Sequence, residues 1–276
     1  MPSVRAESPA PAAENAGIFP FSPGYWWAYV RQIFILGSFF GIALTVSMIC
    51  GVLALVFGNR IPPAAPQAVI RGLFRGWLRV AHLTGVFRIS FPEAAKIAPL
   101  RGAIIAPNHP SILDAVLLLA AVPKTVCVVR AALNDNVCLG GAAKLSGFVA
   151  NDGGPILIRQ GVEKIEQGDN LLIFPEGTRT QTDALNAFKK GFALIAVKTG
   201  APIQTIFIER DAEYLGKGVS LFARTPLPIT YRVHVGAVIR AEENESAQQL
   251  SARLHRYFSA HLERHGEAIR LSKPLS

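Results

Sequence analysis

The chain has 276 residues, of which half are hydrophobic and 17% are charged, and its formal net charge at pH 7 is +9. This length allows one large catalytic domain with an appendage, and the composition is apolar for a soluble globule. The positive charge suits either nucleic acid or anionic phospholipid headgroups, but no RNA- or DNA-binding motif occurs, so we expect a phospholipid membrane as partner and no nucleic acid.

The N-terminal 60 residues predict a tail followed by a membrane anchor. Residues 1–24 are rich in Pro, Ala and Ser, which predicts disorder. Residues 25–60 contain an aromatic cluster that begins at Tyr25, and 25 uncharged residues from Ile33 to Phe57. A membrane-spanning helix needs about 20 such residues, so we predict a single transmembrane helix in preference to a secretory signal or a buried core helix.

Basic residues near the ends of the apolar segment predict its orientation. Arg31 stands alone on the N-terminal side, whereas Arg60, Arg71, Arg75 and Arg79 follow the segment. The excess of basic residues is expected on the cytoplasmic side. We therefore expect a single-pass protein of the inner (cytoplasmic) membrane whose catalytic domain faces the cytoplasm, and the oligomeric state is left open.

Residues 61–84 predict a linker and an interfacial helix. The proline-rich stretch from Ile61 to Pro66 is typical of a stiff linker, and a helix is predicted from about Gln67 to Leu83. Three arginines recur every four residues on one side of that helix, as in a helix that lies against headgroups. An ordinary amphipathic helix of the domain is an equally good interpretation.

From residue 85 to residue 276, apolar runs typical of strands alternate with helical stretches. The predicted strands are Ala103–Ala106, Thr125–Val129, Asn170–Phe174, Ile203–Ile208 and Thr230–Val235, and the predicted helices include Ile112–Ala121, Ala187–Lys198 and Ser246–Arg264. This alternation predicts an α/β fold with a mostly parallel sheet flanked by helices. The three cysteines, which are odd in number and widely spaced, are interpreted as reduced, packed thiols.

Two polar segments follow predicted strands and suggest one shared site, because ligands of open α/β sheets usually bind at strand ends. In the segment Asn108–Asp114, His109 can accept a proton near pH 7, and Asp114 lies close enough in sequence to hold its second ring nitrogen. Ser111-x-x-Asp114 is also a capping-box pattern, so a purely structural role for Asp114 stays open.

The second segment, Phe174–Arg179, places a carboxylate and a guanidinium on a glycine-containing turn. Gly177 permits close approach of the backbone to a ligand, and the planar fork of Arg179 suits phosphate oxygens. Glu176 can accept hydrogen bonds from a polyol or orient Arg179, and a structural Glu–Arg pair is the alternative.

Two other chemistries are disfavoured by the residues. A covalent serine mechanism lacks its Gly-x-Ser-x-Gly turn, which favours direct attack by a substrate hydroxyl or by water. His261 and His265 have a zinc-compatible spacing, but no third ligand is evident and a solvated helix face is the preferred interpretation, so no metal is expected.

Together the two segments closely resemble the PlsC-like glycerolphospholipid (1-acyl-sn-glycerol-3-phosphate) acyltransferase family, over roughly residues 85–215. That family carries an Asn-His-x-x-x-x-Asp segment with the catalytic residues and a Phe-Pro-Glu-Gly-Thr-Arg segment that helps to bind the acceptor phosphate. The resemblance implies that His109 is the general base and Asp114 its partner. It also implies acceptor contacts from Glu176, Gly177, Thr178 and Arg179.

Two further blocks share the resemblance. Phe188–Gly191 matches a Phe followed by a basic residue and glycine, which implies a substrate contact by Lys190. Ala201–Ile203 is similar to the block whose proline, here Pro202, helps to shape the acyl site.

One departure concerns the segment between the two motifs, where relatives usually carry a phosphate-binding arginine. The aligned stretch, Gly147–Gly154, has no arginine and offers Asn151 and Asp152 instead, which we expect to contact substrate. Arg159 from the next helix can substitute, or Arg179 can act with the neighbouring lysines. Alternatively, the acceptor is a different lipid or glycolipid with a hydroxyl-rich or differently charged headgroup.

The expected function is transfer of a fatty acyl group from acyl-CoA or acyl carrier protein to the hydroxyl of a lysophospholipid, with 1-acylglycerol-3-phosphate as the leading acceptor. The resemblance implies no cofactor beyond the acyl donor and no covalent acyl-enzyme. The alternatives are another lipid or glycolipid acceptor, a hydrolase, or a non-catalytic lipid-binding homologue.

Overall fold

The computed structural model describes residues 23–57, 60–132, 136, 139–152, 154–180, 185–212 and 214–272, with side chains described up to residue 264. The described residues do not include Cys138, Gly153 or the first 22 residues of the predicted disordered tail, residues 1–24. The helices are α1 Pro23–Phe57, α2 Ala64–Leu83, α3 Ala94–Ile97, α4 Leu113–Ala121, α5 Gly140–Leu145, α6 Pro155–Glu166, α7 Gly191–Thr199 and α8 Ala247–Ser272. The strands are β1 Phe87–Ser90, β2 Ile104–Pro107, β3 Thr125–Arg130, β4 Val149–Asn151, β5 Asn170–Leu172, β6 Ile203–Arg210 and β7 Ile229–Ile239.

The described strands form one sheet in the order β1-β7-β6-β2-β5-β3-β4. Neighbouring strands run parallel throughout, except for the antiparallel pair β6 and β7. Successive side chains of a strand point to opposite faces, and here both faces are covered. Ile105 and Leu172 pack on the side of α1, α2 and α4, whereas Ile104 and Leu171 pack on the side of α6, α7 and α8. The predicted α/β fold with a mostly parallel sheet is confirmed.

Element boundaries differ from the prediction at three places. The linker is shorter than expected, since α2 already begins at Ala64. Residues 187–190 are not helical, because the Lys189 N–H donates to the carbonyl oxygen of Pro175 and holds this stretch against the preceding turn. The strands β1 and β4 were not predicted, since they have only four and three residues and are partly exposed.

Helix α1 is long and apolar enough to cross a membrane, by length and composition. It begins at Pro23, so the aromatic cluster belongs to the helix. One side of it packs against the rest of the protein from Gln32 to Cys50, which is about 27 Å of helix. Near the end of this contact the Ser47 hydroxyl accepts hydrogen bonds from the N–H groups of Gly141 and Ala142 in α5. If α1 crosses a bilayer, the part of the domain that packs on it must lie at the membrane, or the contact between α1 and the domain must break.

Two of the three regularly spaced arginines of α2 form hydrogen bonds within the domain. Arg71 and Arg75 donate to the carbonyl oxygens of Ala121 and Ala120, at the C-terminal end of α4. Those carbonyls lack helical partners, and cations near a helix C-terminus are stabilising. These contacts are those of an ordinary domain helix, and the interfacial role of α2 stays a prediction.

The connection between β6 and β7, residues 211–228, reaches the start of α1, and we call it the β6–β7 loop. The Arg224 guanidinium lies 4.6 to 5.0 Å from the ring centroids of Tyr25, Trp26 and Tyr29. The Gln32 side chain donates to the carbonyl oxygen of Ala223 at 2.6 Å. This loop therefore joins the aromatic start of α1 to the sheet.

Candidate active site

His109 and Asp114 form a hydrogen-bonded pair at the carboxyl end of β2. The His109 Nδ1 atom lies 2.9 Å from Asp114 Oδ2, and the side chains are 17% and 0% exposed, respectively. The same carboxylate accepts hydrogen bonds from the backbone N–H and the hydroxyl of Ser111, both at 2.7 Å. The two interpretations of Asp114 are thus compatible, because one carboxylate both closes the turn that begins α4 and orients the imidazole.

Phe174 fixes the imidazole from a second direction. Its ring is stacked on that of His109, with centroids 3.8 Å apart and an angle of 22° between the planes. Because Asp114 engages Nδ1, the nitrogen left for a substrate proton is Nε2. The geometry is that of a base whose tautomer is set by a buried carboxylate.

Glu176 is turned inward and does not face a ligand. Its carboxylate is 1% exposed. It accepts hydrogen bonds from the backbone N–H of His109 at 3.1 Å, from the Thr180 hydroxyl at 2.9 Å, and from Asn186 through both the backbone N–H at 3.0 Å and the side-chain amide at 2.7 Å. These contacts tie the loop after β2 to the loop after β5. The structure therefore places Glu176 between two loops that it holds together, and its predicted contact with an acceptor stays a prediction.

The turn that carries the second motif is shaped by its glycine. Gly177 has a φ of +66°, a left-handed conformation that other residues rarely adopt. Thr178 follows on this turn, partly buried. Thr180, two residues later, donates its backbone N–H to the carbonyl oxygen of His109 at 2.9 Å. The two motifs predicted to share a site are thus in direct contact.

Arg179 lies at the same edge of the sheet, where its Nη1 donates to the carbonyl oxygens of Leu215 and Gly216 at 3.0 and 2.8 Å. Burial lowers the pKa of Arg179, and the nearby charges of Arg130 and Arg210 lower it further. These two arginines end β3 and β6. Sequence reasoning missed both of them, although Arg130 directly follows an apolar strand-like run and Arg210 follows one after Glu209, which is the signal that could have found them.

A cleft of about 1030 Å³ lies beside this edge, between α6 and α7, and we call it the α6–α7 cleft. Phe174 and Gly177 contribute to its wall. Of the predicted site residues, Asn151, Lys190 and Arg159 also line it. Asp152 is exposed next to it and accepts the N–H of Gly154 at 3.1 Å, just before α6. The residues of the segment between the two motifs therefore lie by the cleft, and Asn151 is also the strand partner of Arg130.

Pro202 is far from the other predicted site residues. Its carbonyl oxygen accepts the N–H of Ile104 at the start of β2, whereas His109 follows the end of that strand. The five residue steps from Ile104 to His109 span about 17 Å in an extended chain. The structure does not bring Pro202 into the site.

Within the part of the chain that the structure describes, no group of three or more His, Cys, Asp or Glu side chains is placed to hold a metal ion. The ring of His261 stacks on that of Phe207 with centroids 3.6 Å apart. The side chain of His265 lies outside the described residues.

Comparison with known proteins identifies the domain that holds this site. Residues 88–209 match the family model described as Acyltransferase. The chain is 28% identical to a lyso-ornithine lipid O-acyltransferase of Pseudomonas aeruginosa over 203 residues, which are 70% of this chain and 73% of the relative. It is 32% identical to a 1-acyl-sn-glycerol-3-phosphate acyltransferase of Helicobacter pylori over 126 residues, covering 43% of this chain and only half of that relative.

The fold is similar to that of a solved relative. The crystal structure of the 1-acyl-sn-glycerophosphate (LPA) acyltransferase PlsC from Thermotoga maritima superposes with a TM-score of 0.64 at 21% identity, covering 92% of this chain and 98% of that one. Residues 88–209, which hold both motifs at one sheet edge, are thus similar to the Acyltransferase family.

Proposed function

We propose that this protein is a membrane-bound O-acyltransferase that moves a fatty acyl group from acyl-CoA or acyl carrier protein to the hydroxyl of a lysophospholipid. The leading acceptor is 1-acylglycerol-3-phosphate, and the product is then phosphatidate. The observation that carries the proposal is the His109–Asp114 pair, held at the carboxyl edge of the sheet with three arginines nearby.

In the proposed mechanism, His109 Nε2 removes the proton of the acceptor hydroxyl while that oxygen attacks the thioester carbonyl carbon of the donor. The new C–O bond forms, the C–S bond breaks, and the imidazolium returns its proton to the departing thiolate. The buried carboxylate of Asp114 stabilises the imidazolium that exists between these steps. Direct transfer of this kind needs no covalent acyl-enzyme.

The charges around the site favour a phosphate-bearing acceptor. Arg130, Arg179 and Arg210 lie close enough to influence one another, and Arg179 uses only one nitrogen for the carbonyls of the β6–β7 loop. The guanidinium N–H groups that do not donate to these carbonyls can bind phosphate oxygens. Such a concentration of positive charge is stabilised by an anion.

A second candidate acceptor follows from the middle segment. Asn151 lines the cleft where relatives usually carry an arginine, and the Pseudomonas relative is named for a lyso-ornithine lipid. A different lipid headgroup is therefore the runner-up. An ornithine headgroup carries one amino group and one carboxylate, so its net charge is near zero, whereas a phosphate is a stronger anion beside three arginines, and phosphate remains the leading choice.

Membrane attachment is proposed through α1. Its side away from the domain exposes large apolar residues along its length, including Trp27, Phe34, Met48 and Leu55. The arginines that follow α1 favour the inner membrane with the catalytic domain facing the cytoplasm. Protease treatment of spheroplasts that express an N-terminally tagged chain tests the single-pass orientation, which is supported if the tag is cleaved from outside and overturned if it is protected.

The acceptor is tested with purified full-length protein, labelled acyl-CoA and a panel of lysophosphatidate, lyso-ornithine lipid and lysophosphatidylcholine. We expect acylated lysophosphatidate from the wild type and no transfer by His109→Ala. The matched control is His82→Ala, which changes an exposed histidine at the end of α2 and keeps activity. Full activity of His109→Ala overturns the mechanism. Release of free fatty acid as the main product indicates a hydrolase, and no turnover indicates a binding protein.

A further inference from the structure

The β6–β7 loop holds two arginines of the candidate active site through one short segment, residues 214–216, which we call the inner arm. Arg179 Nη1 donates to the last two carbonyl oxygens of the inner arm at 3.0 and 2.8 Å. Arg210 Nη1 donates to the first, that of Tyr214, at 3.1 Å. A guanidinium has five N–H donors in a rigid fork. The backbone oxygens of the inner arm therefore set the direction in which the remaining donors of both arginines point.

The inner arm fits these arginines closely. Leu215 has a φ of +57°, a left-handed conformation in which residues other than glycine are strained. At the next position, Gly216, an added Cβ atom would lie 2.9 and 3.0 Å from the two terminal nitrogens of Arg210. Strained backbone persists only when the surrounding contacts determine it. The residues that hold the inner arm thus affect the position of both arginines.

Gln32 of α1 contacts two parts of the β6–β7 loop. Its side-chain amide donates to the carbonyl oxygen of Ala223 at 2.6 Å, and the residue is 1% exposed. Burial raises the pKa of Tyr214 and a hydrogen bond with Gln32 opposes that rise, so the same side chain also lies against the inner arm. A polar side chain within an apolar helix of membrane-spanning length is costly, and such residues are commonly functional.

We propose that Gln32 is a positioning residue of the candidate active site, because it fixes the β6–β7 loop whose inner arm orients Arg179 and Arg210. This inference rests on the proposed function, in which these arginines bind the phosphate of the acceptor. It adds a residue of α1 that lies outside both sequence motifs and far from them in the chain.

Ser47 provides a matched control on the same helix. It is 2% exposed, and its hydroxyl accepts hydrogen bonds from the N–H groups of Gly141 and Ala142 in α5. It lies about 22 Å along α1 from Gln32. If α1 contributed only packing, loss of either polar contact would disturb the protein in the same general way. A positioning role predicts that only Gln32 affects the arginines.

The first measurement is amide hydrogen exchange of the full-length protein in detergent, which requires no turnover. Gln32→Leu keeps a side chain of similar size and removes the hydrogen bond to the loop. Exchange in residues 211–228 should become about tenfold faster, as expected for loss of one hydrogen bond. Ser47→Ala should instead speed exchange in α5 and leave the β6–β7 loop as in the wild type.

The second measurement is steady-state kinetics of the same variants. Gln32→Leu should raise the KM for lysophosphatidate about tenfold, while the KM for acyl-CoA stays within about twofold and kcat within about threefold. Ser47→Ala should lower the melting temperature and leave both KM values unchanged. A loss of stability alone does not produce such a selective change in one KM.

Gly216→Ala tests the inner arm without changing α1. Its new methyl group meets the flexible end of Arg210, which can move at little cost to the fold but then points elsewhere. We expect a KM for lysophosphatidate about tenfold higher, with a melting temperature near that of the wild type. Gly76→Ala, which meets open space in α2, is the control.

Two results with Gln32→Leu and Ser47→Ala overturn the proposal. One is wild-type loop exchange and acceptor KM in Gln32→Leu, and the other is an equal rise in acceptor KM in both variants. If Gln32→Leu does not fold, an unchanged acceptor KM in Gly216→Ala overturns it. Faster loop exchange in a protein whose wild type transfers no acyl group supports the link from Gln32 to the loop and refutes the acyltransferase proposal. Unchanged loop exchange in an active enzyme refutes the link alone.

Discussion

Replacing Glu176 by Gln distinguishes a residue that positions the base from one that binds the acceptor. In the structure the carboxylate accepts hydrogen bonds from the backbone of His109 and from Thr180 and Asn186. Glutamine has the same shape, but one of its two terminal groups is a donor. About half of the present donors then face an amide NH₂ group instead of an oxygen.

The magnitude follows from those stranded donors. A buried donor without a partner costs about 1–3 kcal/mol, so loss of the acceptor for the two Asn186 donors makes the Gln variant less stable by about 2–6 kcal/mol. When the amide NH₂ takes the place of Oε1 instead, the N–H of His109 loses its acceptor, and a shift of about an ångström in a catalytic group lowers turnover by about a hundredfold. We therefore expect a lower melting temperature and a kcat reduced by about 10- to 100-fold.

The assay compares kcat, both KM values and thermal unfolding of the wild type, Glu176→Gln and the control Glu166→Gln, an exposed change at the end of α6. We expect both KM values of Glu176→Gln to stay within about twofold, because the carboxylate does not face the substrate. An acceptor KM that rises more than about tenfold, with unchanged kcat and melting temperature, would refute the positioning role and indicate a direct acceptor contact.

Three other predictions concern the dyad, the α1 contact and a thiol. Asp114→Asn should lower kcat by about 10³–10⁴-fold, because the amide cannot stabilise the imidazolium, and the pH dependence of the residual activity should change with it; an unchanged profile contradicts the dyad. Gly141→Ala should destabilise the fold, since its new methyl group overlaps the Ser47 carbonyl oxygen, whereas Gly76→Ala meets open space within α2 and should stabilise by about 0.5–1 kcal/mol, both measured by thermal unfolding. Burial raises the pKa of the Cys127 thiol to about 12, so peptide mapping after N-ethylmaleimide treatment at pH 8 should find it unlabelled in the folded protein and labelled after denaturation.

The location of the site was predictable because it depends on local patterns. Apolar runs mark β2 and β5 in the sequence, and the motifs that follow them had to lie at the carboxyl ends of parallel strands. The contact between His109 and Asp114 was also predictable, since a turn after Pro110 brings positions five apart together. These relations span few residues and need no knowledge of the order of strands in the sheet.

The roles of several residues were not predictable, because they depend on long-range geometry. Arg130 and Arg210 come near enough to Arg179 to lower its pKa because β3 and β6 lie within two strands of the centre of the sheet. No local sequence pattern predicts that order of strands. The side chain of Glu176 points inward, where Asn186 donates a hydrogen bond to its carboxylate. Asn186 lies ten residues later in the chain, so this contact depends on how the loop folds back. Pro202 was assigned to the site by its motif alone, while the direction of β6 places it at the other edge.

Composition also could not separate the two sides of α1. A side that packs on protein and a side that faces lipid are both apolar, so the run from Ile33 to Phe57 predicts a helix without showing that Ile35 is buried by Trp77. The polar residues Gln32, Ser38 and Ser47, whose side chains form hydrogen bonds with the domain, are the sequence features that indicate this contact.

The packing of α1 means that this helix is a structural part of the enzyme and not a removable tether. Trp77 donates to the carbonyl oxygen of Ile35, and Gln32 holds the carbonyl of Ala223. At its other end the β6–β7 loop provides the carbonyl oxygens of Leu215 and Gly216 that hold Arg179. Removal of the first 57 residues would therefore uncover the core beside Trp77 and release the loop whose carbonyl oxygens hold Arg179. The helix that is apolar enough to cross a membrane thus also supports one edge of the candidate active site.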